Sequence, residues 1–226
     1  YMSKKDMALV FGITENYGFA LCNVLLGLKK YHPVPFWDDI IVLHTNVSEE
    51  TQQVANAILP CDFRVVQDEA WIKRLSKHLG HDIIKMYSEA AMFRYYCFDM
   101  LNDYHKRFWP DCDILIQGDI SGIMKVGDKS GYAACISNGF LPVEISFKEL
   151  IPGYNMFTPN YNSGTLVLSD KLPNYEQYCE WCKEKTIELA DKLDMPDQAI
   201  LNLLLQEFHI EPESIDDIAY QCHPTM

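Results

Sequence analysis

The sequence predicts an α/β fold, a mixed but mostly parallel sheet flanked by helices, and three stretches carry that expectation. Met7 to Ile13 (MALVFGI) is a short apolar run of the kind buried on both faces of a sheet. A polar loop follows, Thr14-Glu15-Asn16-Tyr17-Gly18. Phe19 to Lys30 then places apolar residues at 19, 21, 24, 25 and 28, which is a helical period. Asp39 to His44 reads as a second strand. Glu49 to Leu59 reads as a second helix, capped by Ser48 and stopped at Pro60, and Cys61 to Val66 as a third strand. Strands that alternate with helices are expected to pair in parallel, and 226 residues suit a single domain over 1–226.

Charge and cysteine usage narrow the class. A net charge of −13 argues against nucleic-acid binding, because phosphate backbones are gripped by clustered Lys and Arg. A small phosphorylated ligand is still compatible, since a metal and one or two local cations can meet its charge. No apolar run approaches the ~20 residues of a membrane span, and no signal-peptide pattern opens the chain. The eight cysteines, Cys22, Cys61, Cys97, Cys112, Cys135, Cys179, Cys182 and Cys222, lie mostly in apolar segments, as thiols of a reducing compartment do. A cytoplasmic location is the expectation. Cys179 and Cys182 have the spacing of a zinc or redox pair, but their surroundings read as a helix and no second pair follows.

The remaining elements bring the candidate functional residues. Ser88 to Leu101 (SEAAMFRYYCFDML) reads as an apolar helix with Arg94 at its centre. A buried guanidinium needs an anion: Asp99 or Glu89 would serve as a structural partner, and the strand after the linker Asn102 to Phe108 offers another. That strand begins at Trp109 and carries Asp111-Cys112-Asp113. Residues two apart in an extended segment point to one side, so Asp111 and Asp113 can converge on a cation; Pro-Asp-Cys-Asp can also be a polar turn. Tyr132 to Ser137 is a further strand, and Asn138 to Asn160 an irregular connection of a length usually tied to function. Tyr161 to Ser169 goes from polar Asn162-Ser163-Gly164 into an apolar strand. That turn either brings backbone amides to a ligand or only starts the strand. Pro173 opens an acidic amphipathic helix, and Pro196 a second, apolar one. Asp197 suits a helix N-terminus on dipole grounds alone, whereas Gln198 has no such structural reason to be there. Tyr17, at the carboxyl end of the first strand, can stack on a planar base or pack on the surface.

Taken in order over Met7 to Asn202, these signatures resemble glycosyltransferase family 8, whose members include glycogenin and bacterial lipopolysaccharide galactosyl- and glucosyltransferases. The resemblance implies a GT-A type fold, Rossmann-like, with a mixed and mostly parallel sheet flanked by helices. It also implies a retaining hexosyltransferase that moves glucose or galactose from a UDP-sugar to a sugar, glycan or glycolipid acceptor. Carried over residue by residue, Thr14 and Asn16 lie near the uracil and ribose, and Tyr17 stacks on the base. Arg94 contacts the donor. Asp111 and Asp113, with Cys112 between them, form the DxD segment that holds Mn²⁺ or Mg²⁺ against the diphosphate. Asn162, Ser163 and Gly164 line the donor sugar, Asp197 binds sugar hydroxyls, and Gln198 faces the anomeric carbon opposite the leaving group.

The sequence departs from the family at three places. Thr14 stands where many relatives have an acid. The DQD segment reads Asp197-Gln198-Ala199, so its third position supplies no carboxylate nucleophile, which favours substitution on the face of the leaving group. The late segment H-x-x-G-x-x-K-P-W, which gives the third protein ligand of the metal, is expected to be missing from the single domain, and His223 lies upstream of its place. Relatives often use a basic or aromatic C-terminal tail for peripheral membrane contact, and the resemblance implies that such contact would be made through a tail of that kind missing here. Two other readings compete. One is a non-catalytic nucleotide-sugar binding domain. The other is a nucleotidyltransferase, which would carry a glycine- and lysine-rich loop where this chain has TENYG.

Overall fold

The first apolar run forms β1 (Lys5–Gly12), in which Met7 to Phe11 are all buried, and this strand has the sheet's two largest parallel pairings on either side of it. A computed structural model describes residues 3–137 and 141–215. Within them the helix α1 (Gly18–Tyr31), the strand β2 (Asp39–His44), the helix α2 (Glu49–Ile58) and the strand β3 (Asp62–Val65) follow the expected alternation. Ser48 caps α2 by accepting a bond from the Thr51 amide at 3.2 Å.

Helices α3 (Glu69–His78) and α4 (His81–Tyr87) come next, in a stretch where sequence reading assigned no element. Asp68 caps α3 through the Trp71 amide. The chain then runs through α5 (Tyr96–Asp99), β4 (Tyr104–Pro110), β5 (Tyr132–Ile136), β6 (Tyr161–Ser169), α6 (Tyr178–Glu188), α7 (Pro196–Glu207) and β7 (Glu213–Ile215).

Among the described residues the sheet has seven strands in the order β3-β2-β1-β4-β6-β5-β7. β6 runs antiparallel to both β4 and β5, and the other pairs are parallel, so the sheet is mixed and mostly parallel as expected. Side chains alternate between two apolar layers. Ala8, Val10, Ile41 and Leu43 pack with Trp71, Leu75, Phe98, Leu203 and other residues of the later helices. Met7, Leu9, Phe11, Ile40 and Val42 pack against Leu21, Val24, Leu25 and Leu28 of α1.

Four expectations change. Ser88 to Leu101 is not one helix: a 3₁₀ segment, Glu89–Tyr95, precedes the single turn of α5, and a second 3₁₀ turn, Met100–Asn102, follows it. Ala90, Met92, Phe93, Arg94 and Tyr95 are all buried, so no solvent face imposes the 3.6-residue period and local packing decides the winding. The strand before Asp111 runs through the supposed linker, because β1 pairs with Tyr104 to Phe108, and Ile114 to Gln117 is irregular. Asn162-Ser163-Gly164 lies inside β6 rather than at a turn before it. Pro173 does not open α6, which starts five residues later after the left-handed Asn174 and a 3₁₀ turn, Tyr175–Gln177.

The irregular connection, described from residue 141, contains the 3₁₀ turn Val143–Ser146, and Cys222 and His223 lie outside the described residues. No described helix is long and apolar enough to cross a membrane.

Two buried histidines tie loops to this frame as neutral acceptors. His32 Nε2 accepts the Ile120 amide at 3.2 Å, and His44 Nδ1 accepts the Val47 amide at 3.1 Å. Burial pushes both imidazoles below their ordinary value, Asp119 opposing it at His32. The unfolded chain therefore binds more protons than the folded one below about pH 6.5, and stability falls as the pH drops through that region. The melting temperature is expected to fall between pH 7 and pH 5, and to fall less in the double variant His32→Gln, His44→Asn, whose amide oxygens replace the accepting nitrogens without titrating. Equal acid sensitivity of the two proteins, read by circular dichroism melts, would count against this account.

Candidate functional site

A cleft of about 350 Å³ opens where β1 and β4 end and β6 begins. Gly12, Thr14 and Tyr17 line it from the first loop, Met86, Tyr87 and Ser88 from the end of α4, and Asp111, Cys112 and Asp113 from the turn after β4. Asn162 and Ser163 of β6 and Asp197 and Gln198 of α7 complete it, with Arg94 between them. Because β6 is antiparallel to β4, its polar first residues meet the carboxyl end of β4, which brings the Asn-Ser-Gly and Asp-Cys-Asp segments side by side.

Arg94 is only 4 % exposed, and its donors are occupied. One Nη lies 3.1 Å from Asp111 Oδ1, and the other lies 3.1 Å from Asp197 Oδ2 and donates to the Ser163 carbonyl. Nε donates to the Ala91 carbonyl at 2.6 Å, and the guanidinium lies 5.1 Å from the Trp109 ring. The partners anticipated on its own segment, Glu89 and Asp99, are not the ones it uses. Burial disfavours its charge, but Asp197 and Asp111 outweigh burial and hold the pKa above the usual guanidinium value.

Asp197 is buried and also accepts the Ser163 hydroxyl at 2.6 Å, so it does more than complement a helix dipole. Gln198 has structural partners as well, contrary to expectation. Its Oε1 accepts the Ser163 amide at 3.4 Å, and its Nε2 faces the Ser146 hydroxyl at 3.4 Å and the Met195 sulfur at 3.6 Å. Asn202, a residue sequence reading passed over, pins β6 to α7: its amide accepts the Tyr161 N–H and donates to the Tyr161 and Gln198 carbonyls, each at 2.8 Å.

Gly164 does not line the cleft. It backs Asp111, whose amide donates to the Gly164 carbonyl at 2.9 Å, and a Cβ there would fall against Asp111 Oδ2. Asn162 folds its side-chain oxygen onto the Gly164 amide at 2.5 Å. Gly12 is required for a similar reason, since its Cβ would stand 2.5 Å from the Trp109 ring and 2.6 Å from the Ala90 carbonyl. Thr14 and Tyr17 form the opposite wall, Tyr17 being 39 % exposed, whereas Asn16 is exposed and lies off the cleft. Ser88, with φ of 55°, turns the chain from α4 toward Arg94, and neither it nor Tyr87 carried a sequence signal.

Asp111 and Asp197 thus pair with one cation, and Asp113 lines the same cleft. Burial pushes the Asp111 carboxyl up, Arg94 pulls it down, and Asp197 and Asp113 push it up again. Such a donor set, rich in hard oxygen and in excess of negative charge, fits a divalent cation of the Mn²⁺ or Mg²⁺ type. Asp111 and Asp113 are the two candidate ligands; among the described residues no group of three or more His, Cys, Asp or Glu is arranged to hold a metal ion. Burial, then Asp111 and Asp113, push the Cys112 thiol between them up to about 12. Cys179 and Cys182 are buried free thiols of α6, both pushed up by burial.

The family model described as Glycosyl transferase family 8 matches residues 8–216, and the chain belongs to that family of glycosyltransferases. Among curated proteins none matches it by sequence. The solved structure of galactosyltransferase LgtC with donor and acceptor sugar analogues is similar over 88 % of this chain and 70 % of that one, at 20 % identity and a TM-score of 0.66. An active-site mutant of LgtC matches with the same coverage, at 19 % identity and 0.69. Core-mannan synthase A from Aspergillus fumigatus, in an Mn/GDP form, matches 91 % of this chain and 70 % of that one, at 12 % identity and 0.56. At these identities the likeness is one of fold, and the fold is GT-A.

Removing the cation from this cluster should unsettle the whole frame. Arg94→Met leaves Asp197 and Asp111 without their counter-charge, and the expected cost is about 3–5 kcal/mol in unfolding free energy. Asp197→Asn keeps an acceptor for Ser163 and should cost less. Urea titration measures both, and wild-type stability of Arg94→Met would show that the pairing is not structural.

Proposed function

We propose that this protein is a retaining hexosyltransferase that moves glucose or galactose from a UDP-sugar to a sugar, glycan or glycolipid acceptor. The observation that carries the reading is the pairing of Asp111 and Asp197 with buried Arg94, beside Asp113, in a cleft at the carboxyl edge of the sheet with an exposed tyrosine on its opposite wall. A ligand with a planar base, a diphosphate and a sugar has matching parts in that order. Tyr17 stacks on the base, and Thr14 offers a hydroxyl that can both donate and accept.

Asp111 and Asp113 would hold a divalent cation, preferably Mn²⁺, which when bound supplies positive charge to the departing diphosphate. The protein's own residues do the positioning. Arg94 fixes Asp111 and Asp197 relative to each other across β4 and α7. Ser163 and Asp197 present oxygen atoms for sugar hydroxyls. Gln198 is held only by contacts of 3.4 Å and longer, so its amide can turn to the sugar's reacting face at little cost.

A covalent double displacement would need a free carboxylate there. Ala199 provides none, and Asp197 is occupied by Arg94 and Ser163. Substitution on the face of the leaving group, with retention, is the consistent alternative. Seven free cysteines among the described residues support a reducing, cytoplasmic setting. The two-carboxylate donor set favours one second reading, a non-catalytic nucleotide-sugar binding domain.

Release of UDP from UDP-glucose and UDP-galactose, with Mn²⁺ and with the metal chelated, tests these readings. Turnover with one donor that is lost on chelation is expected, and Asp113→Asn should lower it about 100-fold or more. Binding without turnover supports the second reading, and consumption of UTP or CTP would favour a nucleotidyltransferase. A sugar adduct trapped on the enzyme would end the same-face mechanism.

A further inference from the structure

The loop after β1 is fastened from behind, by an acid outside the cleft. Glu15 Oε2 accepts the Ser48 amide at 2.7 Å, and Oε1 accepts the hydroxyls of Ser48 and Thr51, both at 2.8 Å. These donors belong to the cap and first turn of α2, where backbone amides have no partner within the helix. Thr51 closes the contact a second way: a Cβ on Gly18 would stand 2.5 Å from its methyl carbon, so only glycine lets the loop lie this close to α2. Between Glu15 and Gly18 the chain makes a single 3₁₀ turn, closed by the Tyr17 amide on the Thr14 carbonyl at 2.9 Å. Its front face carries Thr14 and Tyr17 into the cleft.

Glu49 and Glu50 lie just beyond the cap, so an added carboxylate meets like charge unless something compensates. The Ser48 amide, then the Thr51 and Ser48 hydroxyls, do so and hold the Glu15 carboxyl below its ordinary value. Isolated hydrogen bonds at an exposed site contribute little to global stability. Here three converge on one short turn, and what they fix is the orientation of that turn.

We infer that Glu15 is a positioning residue for base recognition: by clamping the loop to α2 it sets where Thr14 and Tyr17 stand, and so governs affinity for the nucleoside part of the ligand. This rests on the nucleotide-sugar reading above. Its chemistry is separate from the diphosphate and sugar groups, which lie on the other wall.

The test measures UDP affinity by calorimetry and backbone amide exchange over residues 13–18 by mass spectrometry, in wild type, Glu15→Ala, Glu15→Gln and Thr51→Val. Glu15→Ala is expected to weaken UDP binding about tenfold and to speed exchange in that segment. Glu15→Gln, which keeps an acceptor for the Ser48 amide, should recover part of both. Thr51→Val keeps the methyl contact with Gly18 and loses one hydroxyl donor; it should weaken binding less, and add little on top of Glu15→Ala. Where turnover is measurable, KM for the donor should rise with kcat within about twofold, a split that general destabilisation does not produce. Unchanged exchange, or faster exchange with unchanged UDP affinity, overturns the inference. If wild type binds no UDP, the nucleotide-sugar reading fails and base recognition fails with it, while the exchange data still decide whether Glu15 orders the loop.

Discussion

The pairing of Arg94 with Asp111 and Asp197 is the interaction on which the site depends. A guanidinium buried this deeply is tolerated only when anions and carbonyls surround it, and each of its partners comes from a different part of the chain. Asp111 follows β4, Ser163 belongs to β6, Asp197 to α7, and Ala91 to the 3₁₀ segment that carries Arg94 itself. Those four pieces must stop at the same place for the charges to meet. Several local features then follow. Arg94 needs a backbone that reaches the β4–β6 junction, and the chain turns there at Ser88 into tight 3₁₀ winding. Gly164 needs no side chain, because the Asp111 carboxylate occupies the space.

The antiparallel strand is what makes this meeting possible. In a wholly parallel sheet only the carboxyl ends of strands, with their following loops, would face the ligand edge. Here β6 enters at that edge, so its polar beginning faces the turn after β4 while its apolar remainder stays in the core. Asn202 then fastens the first residue of β6 to α7, which carries Asp197 and Gln198. Positive charge in this acidic chain is local to the cleft, where one buried arginine meets two of its carboxylates.

Much of this was legible in the sequence, and the part that was not has a physical reason. β2 is read without error because a short apolar run, buried continuously from Ile40 to His44, stands between clear turn signals. The sequence singles out Arg94, Asp111, Ser163, Asp197 and Gln198, and they line one cleft. For Arg94 the Asp-x-Asp strand is one expected partner beside the nearer acids Glu89 and Asp99, whereas Asp197 and the Ser163 carbonyl are not expected, since a long-range contact leaves no periodic trace. The Ser88 to Leu101 segment reads as one helix because a stretch so largely buried carries no solvent face to distinguish α from 3₁₀ winding. Asn16 shows the converse case: a polar residue of the same loop as Thr14 and Tyr17 is exposed and does not line the cleft.

Two neighbours on α7 now differ in a way their sequence does not suggest. Asp197 is buried and bound to Ser163 and Arg94 at 2.6 and 3.1 Å, a geometry of strong and costly-to-break contacts. Gln198 is neutral and held at 3.4 to 3.6 Å. A group fixed that firmly can serve as a template but is poorly suited to attack, since attack would strand Arg94 without one of its anions. A group held that loosely can change partners when a ligand arrives. The arrangement therefore assigns rigidity to the acid and adaptability to the amide, the reverse of what a nucleophilic carboxylate flanked by a structural amide would require.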